Sequence, residues 1–405
     1  MHTVVLFDDR LGLTAPLTDL RASFDVRTGA FTTAGRWSRA NGCTLAGVIV
    51  PDSIAQLVAQ SVPNRVVNPA LSADDRILLV NGRCPIPSNA ITSLQPGEWL
   101  CDPEESHLAA ANLTVREALS FLQGQGLPKG SAKSAESRVL ISRPWHVRTL
   151  RDACIAHDLA TFANSPSQPT PHGVIRFGEH HVHLSRSAKV YPTVVLDAES
   201  GPIVIDDNAV VRPGAILIGP LYVGPNSTVL ERALIRPNTA IGPWCKVSGE
   251  IGGTIFQGYA NKAHDGYLGD SWVGEWVNLG AGTTNSNLLN TYAEIIAKAS
   301  HDGRNERTGE TFLGAIIGDH VKTAICTRIM TGSVLATGGM FASTLAVSGS
   351  TQSFAWVTDA GDKRYRLEKF IEVMAAAQAR RKVVATQAYV ERIRALFAPS
   401  ESPKG

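Results

Sequence analysis

The chain has 405 residues, of which 44% are apolar and 18% charged, with a net charge of +2. That length suits two or three domains of ~150 residues with full-size cores, and the composition excludes a disordered or collagen-like chain. No Lys/Arg block reaches five and no apolar run approaches the ~18 residues of a membrane span, so neither a nucleic acid nor a membrane is expected as a partner.

At the N-terminus, residues 4–7 run straight into Asp8-Asp9, too short and too acidic for a signal peptide. The cysteines at 43, 84, 101, 154, 245 and 326 show no C-x-x-C spacing. A cytoplasmic protein without disulfides or structural zinc is expected. Residues 4–7 and 77–80 predict buried strands, and Ile54, Leu57, Val58 and Val62 have helical spacing. Strands alternating with helices predict an α/β domain over 1–163. Polar stretches at 123–137 and 164–171 read as linkers.

From Ile205 a repeat takes over. Ile205, Val211, Leu217, Val223, Val229, Ile235, Ile241 and Val247 stand six apart. Four residues after each comes Ala209, Ala215, Leu221, Ser227, Ala233, Thr239, Cys245 or Ile251, mostly small. Gly and Pro fill the corners, as at Pro213-Gly214 and Gly242-Pro243. Neither an amphipathic helix nor an alternating strand keeps a strict period of six. A short strand, a sharp turn and another short strand do. Three such sides close a coil of 18 residues, with 205, 223 and 241 in one inward column. The prediction for 180–345 is a parallel β-helix of the hexapeptide type.

The period then slips. Val273 and Leu279 are two residues out of phase with Val247, and Ile317, Thr323, Ile329 and Leu335 form a third phase. Two stretches are therefore expected to leave the coil, one within 248–266 and one within 285–311, the latter holding the polar run 300–307. Loops on a rigid scaffold commonly carry sites. Leu367, Phe370, Ile371 and Met374 predict a long helix over 362–397, within a C-terminal helical segment at 360–398, followed by a frayed tail.

The first slip carries Asn261-Lys262-Ala263-His264-Asp265-Gly266-Tyr267-Leu268-Gly269-Asp270, followed by Asn278-Leu279-Gly280-Ala281-Gly282-Thr283-Thr284-Asn285-Ser286-Asn287. H-x-x-Y-L-G-D and then N-L-G-A-G-T-x-x-x-N, at this spacing, resembles the acetyltransferase half of the bifunctional GlmU family. A shorter GlmU-like branch of sugar nucleotidyltransferases is closer. Its pattern appears as F-D-D at 7–9, V-N-G-R at 80–83, G-P-W-C-K-V at 242–247, N-K-A-H-D-G at 261–266 and I-G-D-H-V-K-T at 317–323. The resemblance implies a left-handed coil, acetyl transfer from acetyl-CoA to an amino-sugar phosphate such as glucosamine-1-phosphate, and a homotrimer with coenzyme clefts between subunits. A trimer would also cover the flat faces and strand edges of a triangular prism.

An amine attacking a thioester must lose a proton, and the tetrahedral intermediate needs donors. An imidazole with a pKa of ~6.5 is a natural base at neutral pH. His264 is the expected base, against the blander reading of a loop histidine with no task. The resemblance assigns Tyr267, Asn278 and Asn287 to the sugar phosphate or the acetyl donor, with Asn287 beside His264 in catalysis. The asparagines suit left-handed corners and stacked ladders equally well. Lys322, Thr323 and Ala324 match the strand edge that holds the pantetheine arm in the family. Arg236 and Lys246, with Arg232, are the nearest basic residues for a sugar phosphate, or else exposed charge on coil corners.

The chain departs from the longer bifunctional enzymes. Where they carry a lysine before the catalytic histidine and another after the second asparagine, this sequence has Gly252 and Ala293. No G-x-G-T-R loop follows residues 4–9, although residues 16–21 match the short branch's P-L-T-x-x-R. The metal-binding aspartate expected after residues 77–80 is replaced by Asn81-Gly82-Arg83. A sugar-1-phosphate nucleotidyltransferase using UTP or dTTP and Mg2+, with the β-helix serving assembly, is thus the second expectation. Asp8, Asp9, Arg21, Arg36 and Arg83 would then form an alternative phosphate site, or simply cap strands. A non-enzymatic scaffold is the third. His180, His181 and His183 cluster on one edge segment, unlike coil-spaced zinc ligands from adjacent subunits, and no metal site is expected.

Overall fold

The computed structural model describes residues 1–126 and 130–398. They form two compact units. The first comprises Met1–Gly12, Arg21–Val26 and Phe31–Ser142; the second comprises Leu13–Leu20, Arg27–Ala30 and the described residues from Arg143 onward. The helix His146–Ala160, inside the span 1–163, belongs to the second compact unit.

The first unit is a mixed six-stranded sheet. Its strands are β1 (His2–Phe7), β2 (Cys43–Ile49), β3 (Arg76–Asn81), β4 (Glu98–Cys101), β5 (Leu108–Thr114) and β6 (Ser131–Ser134), in the order β2-β1-β3-β5-β4-β6. The predicted strands are adjacent, β1 pairing parallel to β3 with Val4 opposite Leu78. Their apolar residues are buried on both faces, as expected of central parallel strands. Four helices accompany the sheet: α1 (Thr33–Trp37), α2 (Asp52–Ser61), α3 (Asn89–Thr92) and α4 (Val115–Leu122). Helix α2 buries Ile54, Leu57 and Val58, but Val62 falls outside it, extended and exposed, because Pro63 disfavours a helical conformation before it. The polar stretch 123–137 is more than a linker. Ser131–Ser134 adds to the sheet beside β4, while 127–129 lie outside the described residues.

The second unit opens with α5 (His146–Ala160) and is built around a parallel β-solenoid. One face stacks strands from Ile175–Phe177 to Tyr267–Gly269, a second from Val182–Leu184 to Ser333–Leu335, and a third from Lys189–Val190 to Asn261–Lys262. The predicted column is present: Ile205 pairs with Val223 and Val223 with Ile241. Every aliphatic of the six-residue series from 205 to 247 is fully buried, as are the small residues between them. At roughly 1.5–3 kcal/mol per buried aliphatic side chain, this column is the main stabilising term of the unit.

The two phase slips have different causes. The first is a contraction, not an excursion: the inward residue after Val247 comes four positions later at Ile251, and the next comes five later at Phe256. The third face then pairs Val247 with Lys262 in place of the usual 18-residue partner, so residues 248–266 stay in the coil. The second slip does leave it. Between Asn285 and Ala315 the chain makes a small antiparallel ribbon, Ile296–Ala297 with Glu306–Arg307. Beyond it the regular spacing resumes at Ile317, which pairs with Leu335.

Three residues after each inward residue of the second face from Ile205 to Ile317 the backbone turns through a left-handed conformation. These positions are Asn208, Asn226, Trp244, Tyr259, Trp276 and His320. The aromatic members stack along one corner. Ring centroids are 6.3 Å apart for Trp244–Tyr259, 4.4 Å for Tyr259–Trp276 and 6.5 Å for Trp276–His320, with interplanar angles of 5°, 18° and 11°.

The helix predicted over 362–397 is two helices, α6 (Leu367–Ala379) and α7 (Gln387–Phe397), preceded by the antiparallel pair Ala355–Thr358 and Gly361–Arg364. Lys382 adopts a left-handed conformation after α6, and the Thr386 side chain accepts from the Tyr389 N–H to start α7. These local signals outweigh the continuous apolar spacing. Phe370 and Met374 of the predicted stripe are buried with Ile393 of α7. The tail expected to fray lies at 399–405, outside the described residues.

Ile241→Ala should lower the stability of the second unit by roughly 2–5 kcal/mol, read as a drop in its urea midpoint without loss of β circular dichroism. The same change at exposed Ile216 should stay within about 0.5 kcal/mol.

Candidate active site

The segment 261–270 forms a corner and two short strands of the contracted coil. Consecutive corners stack through glycine. A Cβ at Gly249 would sit 2.6 Å from the Gly266 carbonyl oxygen and 3.0 Å from that of His264, and one at Gly266 would collide with the Thr283 carbonyl. Gly249, Gly266 and Gly282 all have positive φ. Backbone therefore lies directly on backbone here, and the side chain between them, His264, is exposed.

Tyr267 follows on the next strand, half-buried. Its hydroxyl accepts from Asn287 Nδ2 at 3.0 Å, and the same amide nitrogen donates to Asp270 Oδ2 at 2.8 Å. Burial, reinforced by the Asp270 and Glu250 charges, pushes the Tyr267 hydroxyl up and keeps it a proton donor. Asp270 is itself held by α5. Arg148 Nε and Arg151 Nη1 donate to Asp270 Oδ1 at 3.0 and 2.7 Å, and Arg151 also donates to the Gly253 carbonyl. Tyr267 and Asn287, both singled out by the sequence, are thus joined directly, and Asn287 is anchored on a carboxylate held by two arginines, three residues that the sequence reading assigned no role. The signal for Asp270 was present, since it closes the Y-L-G-D motif. Arg148 and Arg151 sit far away in sequence, with nothing local to mark them.

Asn278 is exposed on the third face, bridged on one side to Asn261 and on the other to Lys322. Neither Asn278 nor Asn287 is at a left-handed corner. Asn278 does belong to a ladder, with Asn261 Nδ2 donating to its Oδ1 at 3.5 Å. Arg236 is exposed and paired with Glu250 at 2.6 Å, its stem passing 3.1 Å from where a Gly252 Cβ would be. Such an exposed pair contributes ~0–1 kcal/mol and yields readily to an anion. Lys246 is exposed on the third face, one rung from Asn261.

The three residues matched to the coenzyme arm are placed otherwise. Residues 322–324 offer no free strand edge, because Lys322–Thr323 pairs with Met340–Phe341 on one side and Thr323 N–H donates to the Asn278 carbonyl on the other. The Lys322 ammonium turns onto the Trp276 carbonyl, where burial pushes it down to about 8. The Thr323 side chain is buried, its hydroxyl hydrogen-bonded with that of Thr283 at 2.8 Å and accepting from the Gly280 N–H at 3.0 Å. The Ala324 carbonyl accepts from Thr327 Oγ1 at 2.9 Å. Thr323 is thus buried and internally satisfied, while Lys322 and Ala324 are half-buried.

In the first unit the acidic pair after β1 is occupied from within. Arg83, almost fully buried, donates to Asp9 through Nε at 2.9 Å and Nη2 at 2.6 Å, and to Ser142 Oγ at 2.6 Å. Asn81 Nδ2 also reaches Asp9 at 2.8 Å. Asp8 accepts from the Ser23 and Arg10 N–H groups. Burial alone would raise the Asp9 carboxyl, but Arg83, Asn81 and the Leu11 N–H together hold it below the ordinary range. Arg36 donates to the carbonyls of Phe31 and Pro85. These contacts favour the capping role for this set over an open phosphate site. His183 lies on the strand Val182–Leu184 with His181 just before it, their rings 6.2 Å apart, while His180 is exposed. Among the described residues no group of three His, Cys, Asp or Glu is placed to hold a metal ion. Among them, too, no helix is long and apolar enough to cross a membrane.

Residues 4–166 match a family model described as sugar nucleotidyl transferase. A bifunctional sugar-1-phosphate nucleotidylyltransferase/acetyltransferase of Sulfurisphaera tokodaii is 33% identical over 138 residues, covering 33% of each chain. A bifunctional protein GlmU of Methanococcus maripaludis is 29% identical over 173 residues, covering 42% of this chain and 41% of its own. The chain thus spans between a third and two fifths of the length of these relatives. Among solved structures, a hexapeptide transferase family protein from Anaplasma phagocytophilum shares 14% identity over 55% of this chain and 96% of its own, with a TM-score of 0.18, too low to carry an argument.

Asp270→Ala removes the acceptor shared by Arg148 and Arg151, which keep Glu310 and Asp152, and should cost about 1.5–3 kcal/mol, read as a lower urea midpoint of the second unit. In the first unit, the Asp9 contribution is complete above the ordinary aspartate value of 3.8 and is lost as pH falls through its lower folded value. Asp9→Asn should therefore narrow the stability difference between pH 7 and about pH 2 in an acid titration followed by circular dichroism.

Proposed function

We propose that the second unit is an acyl-CoA-dependent N-acetyltransferase acting on an amino-sugar phosphate, within a chain of GlmU-like bifunctional ancestry. The observation that carries this reading is the hydrogen-bonded line Tyr267–Asn287–Asp270, built in the coils next to a solvent-exposed His264. The relatives' names, a sugar-1-phosphate nucleotidylyltransferase/acetyltransferase and GlmU, supply the reaction class.

In this reading His264 takes the proton from the sugar amine as the N–C bond forms at the thioester carbonyl. The C–S bond then breaks, and coenzyme A leaves as a thiolate that is reprotonated. Asn287, its amide nitrogen already committed to Asp270 and Tyr267, is locked in one orientation beside the acceptor. Tyr267 keeps its hydroxyl proton for a hydrogen bond. Arg236, whose stem covers Gly252, supplies the positive charge that the resembled enzymes place on a lysine there, with Lys246 as the next cation on the outer surface. Asn278 faces the coenzyme. Lys322, Thr323 and Ala324 lie beside it on the coenzyme side, the Thr323 N–H binding the Asn278 carbonyl. Subunits pair around these coils as a homotrimer, and the protein works in the cytoplasm.

The match of residues 4–166 favours a second reading, nucleotidyl transfer from UTP or dTTP to a sugar-1-phosphate. Asp8 and Asp9 are the carboxylates Mg2+ would need. Both oxygens of each already accept protein hydrogen bonds, and Arg83 sits on Asp9, so the present arrangement does not fit that ion.

Acetyl-CoA mixed with glucosamine-1-phosphate and the protein should release free coenzyme A, detected by thiol reagent. His264→Ala should lose at least about 100-fold in rate while keeping its sedimentation behaviour. Undiminished turnover in that variant removes His264 from the chemistry. Pyrophosphate release from UTP, Mg2+ and sugar-1-phosphate, with no coenzyme A release, would establish the second reading instead.

A further inference from the structure

Lys262 occupies a place where a lysine has no evident business. Its column on the third face runs through Val211, Val229 and Val247, and Lys262 takes the next inward position. Its relative exposure is 1%. A buried ammonium carries a large desolvation cost unless all three of its N–H groups find acceptors. Here Nζ donates to the carbonyl oxygens of His264 and Asp265, each at 2.6 Å, and reaches that of Ser248 at 3.4 Å. Two of the three acceptors belong to the turn that carries the exposed imidazole, and the third lies in the corner beneath it.

We infer that Lys262 is a positioning residue: its interior ammonium clamps the 264–265 peptide groups from below and so fixes the direction in which the His264 side chain leaves the coil. The inference rests on the reading of His264 as the base. An aliphatic residue at this position would fill the column as Val247 does in the coil before. It would leave two carbonyls without their donor and the turn free to rotate about its glycine flank at Gly266. Burial pushes the Lys262 ammonium down to about 8, with the nearby Asp265 carboxylate opposing that shift. The charged and titratable groups about it are thus Asp265 and His264, both on the clamped turn. The cation is held at a cost in stability that an apolar side chain would not carry, as expected when a residue serves the site more than the fold.

The test uses the full-length protein. Lys262→Met should keep its thermal midpoint within a few degrees while kcat for coenzyme A release falls about 100-fold, the penalty typical of a base displaced by about 1 Å, with KM changed less than about threefold. The readout that a purely structural lysine would not move is the His264 ring signal. In imidazole-labelled protein, assigned by its loss in His264→Ala, that signal should shift and broaden in Lys262→Met. An unmoved His264 signal in folded Lys262→Met overturns the inference. Should that variant not fold, Lys262→Val, which restores the residue type of the column, is read in the same way, and an unmoved His264 signal there overturns it equally. Full turnover by His264→Ala would instead overturn the assignment of the base, while the signal shift in Lys262→Met would still report the clamp.

Discussion

One geometric demand governs the second unit: each side of each coil delivers one side chain to the axis, above its predecessor, and these are apolar with few exceptions such as Lys262. The chain meets it with steps of six where corners are full, and with steps of four and five where they are cut short between Val247 and Phe256. Inward order is kept at the expense of corner length, and the shortened corners bring backbone against backbone at Gly249, Gly266 and Gly282. Precision in the candidate site follows from this. The imidazole of His264 stands on a turn that has almost no room to relax, rather than on a long loop.

The same demand explains what the sequence disclosed and what it hid. A period of six is visible because each side contributes one buried aliphatic, so the faces and the column through Ile205, Val223 and Ile241 were legible before any coordinates. The phase slips were legible as slips but not as kinds. Four residues missing between Val247 and Val273 and an excursion of about thirty both reset the count, and only strand pairing tells them apart. Lys262 was invisible for that reason. Its interior position depends on a register of 15 rather than 18, and a lysine in a polar motif reads as surface. His264, Tyr267, Asn278 and Asn287 were singled out by motif. Arg148 and Arg151 were not, because their partner Asp270 is more than a hundred residues away in the chain. For 322–324, motif identity does not reveal that the strand is paired on both sides.

The first unit follows another logic. Its central strands were recognisable from unbroken apolar runs, and the chemistry at their ends from what was missing. At the end of β3, Asn81-Gly82-Arg83 turns the acidic pair inward: the guanidinium of Arg83 lies on Asp9, and the unit holds an internal ion pair there.

The corner that stacks Trp244, Tyr259, Trp276 and His320 has a further consequence. Each of these L-residues is held in a left-handed conformation that disfavours a Cβ by about 1–2 kcal/mol, and ring-on-ring contact returns a comparable amount. Stacked rings with nearly parallel planes also couple their electronic transitions. The row therefore behaves as a built-in optical gauge of coil pitch, so that near-ultraviolet ellipticity would report any stretching of the solenoid without a label.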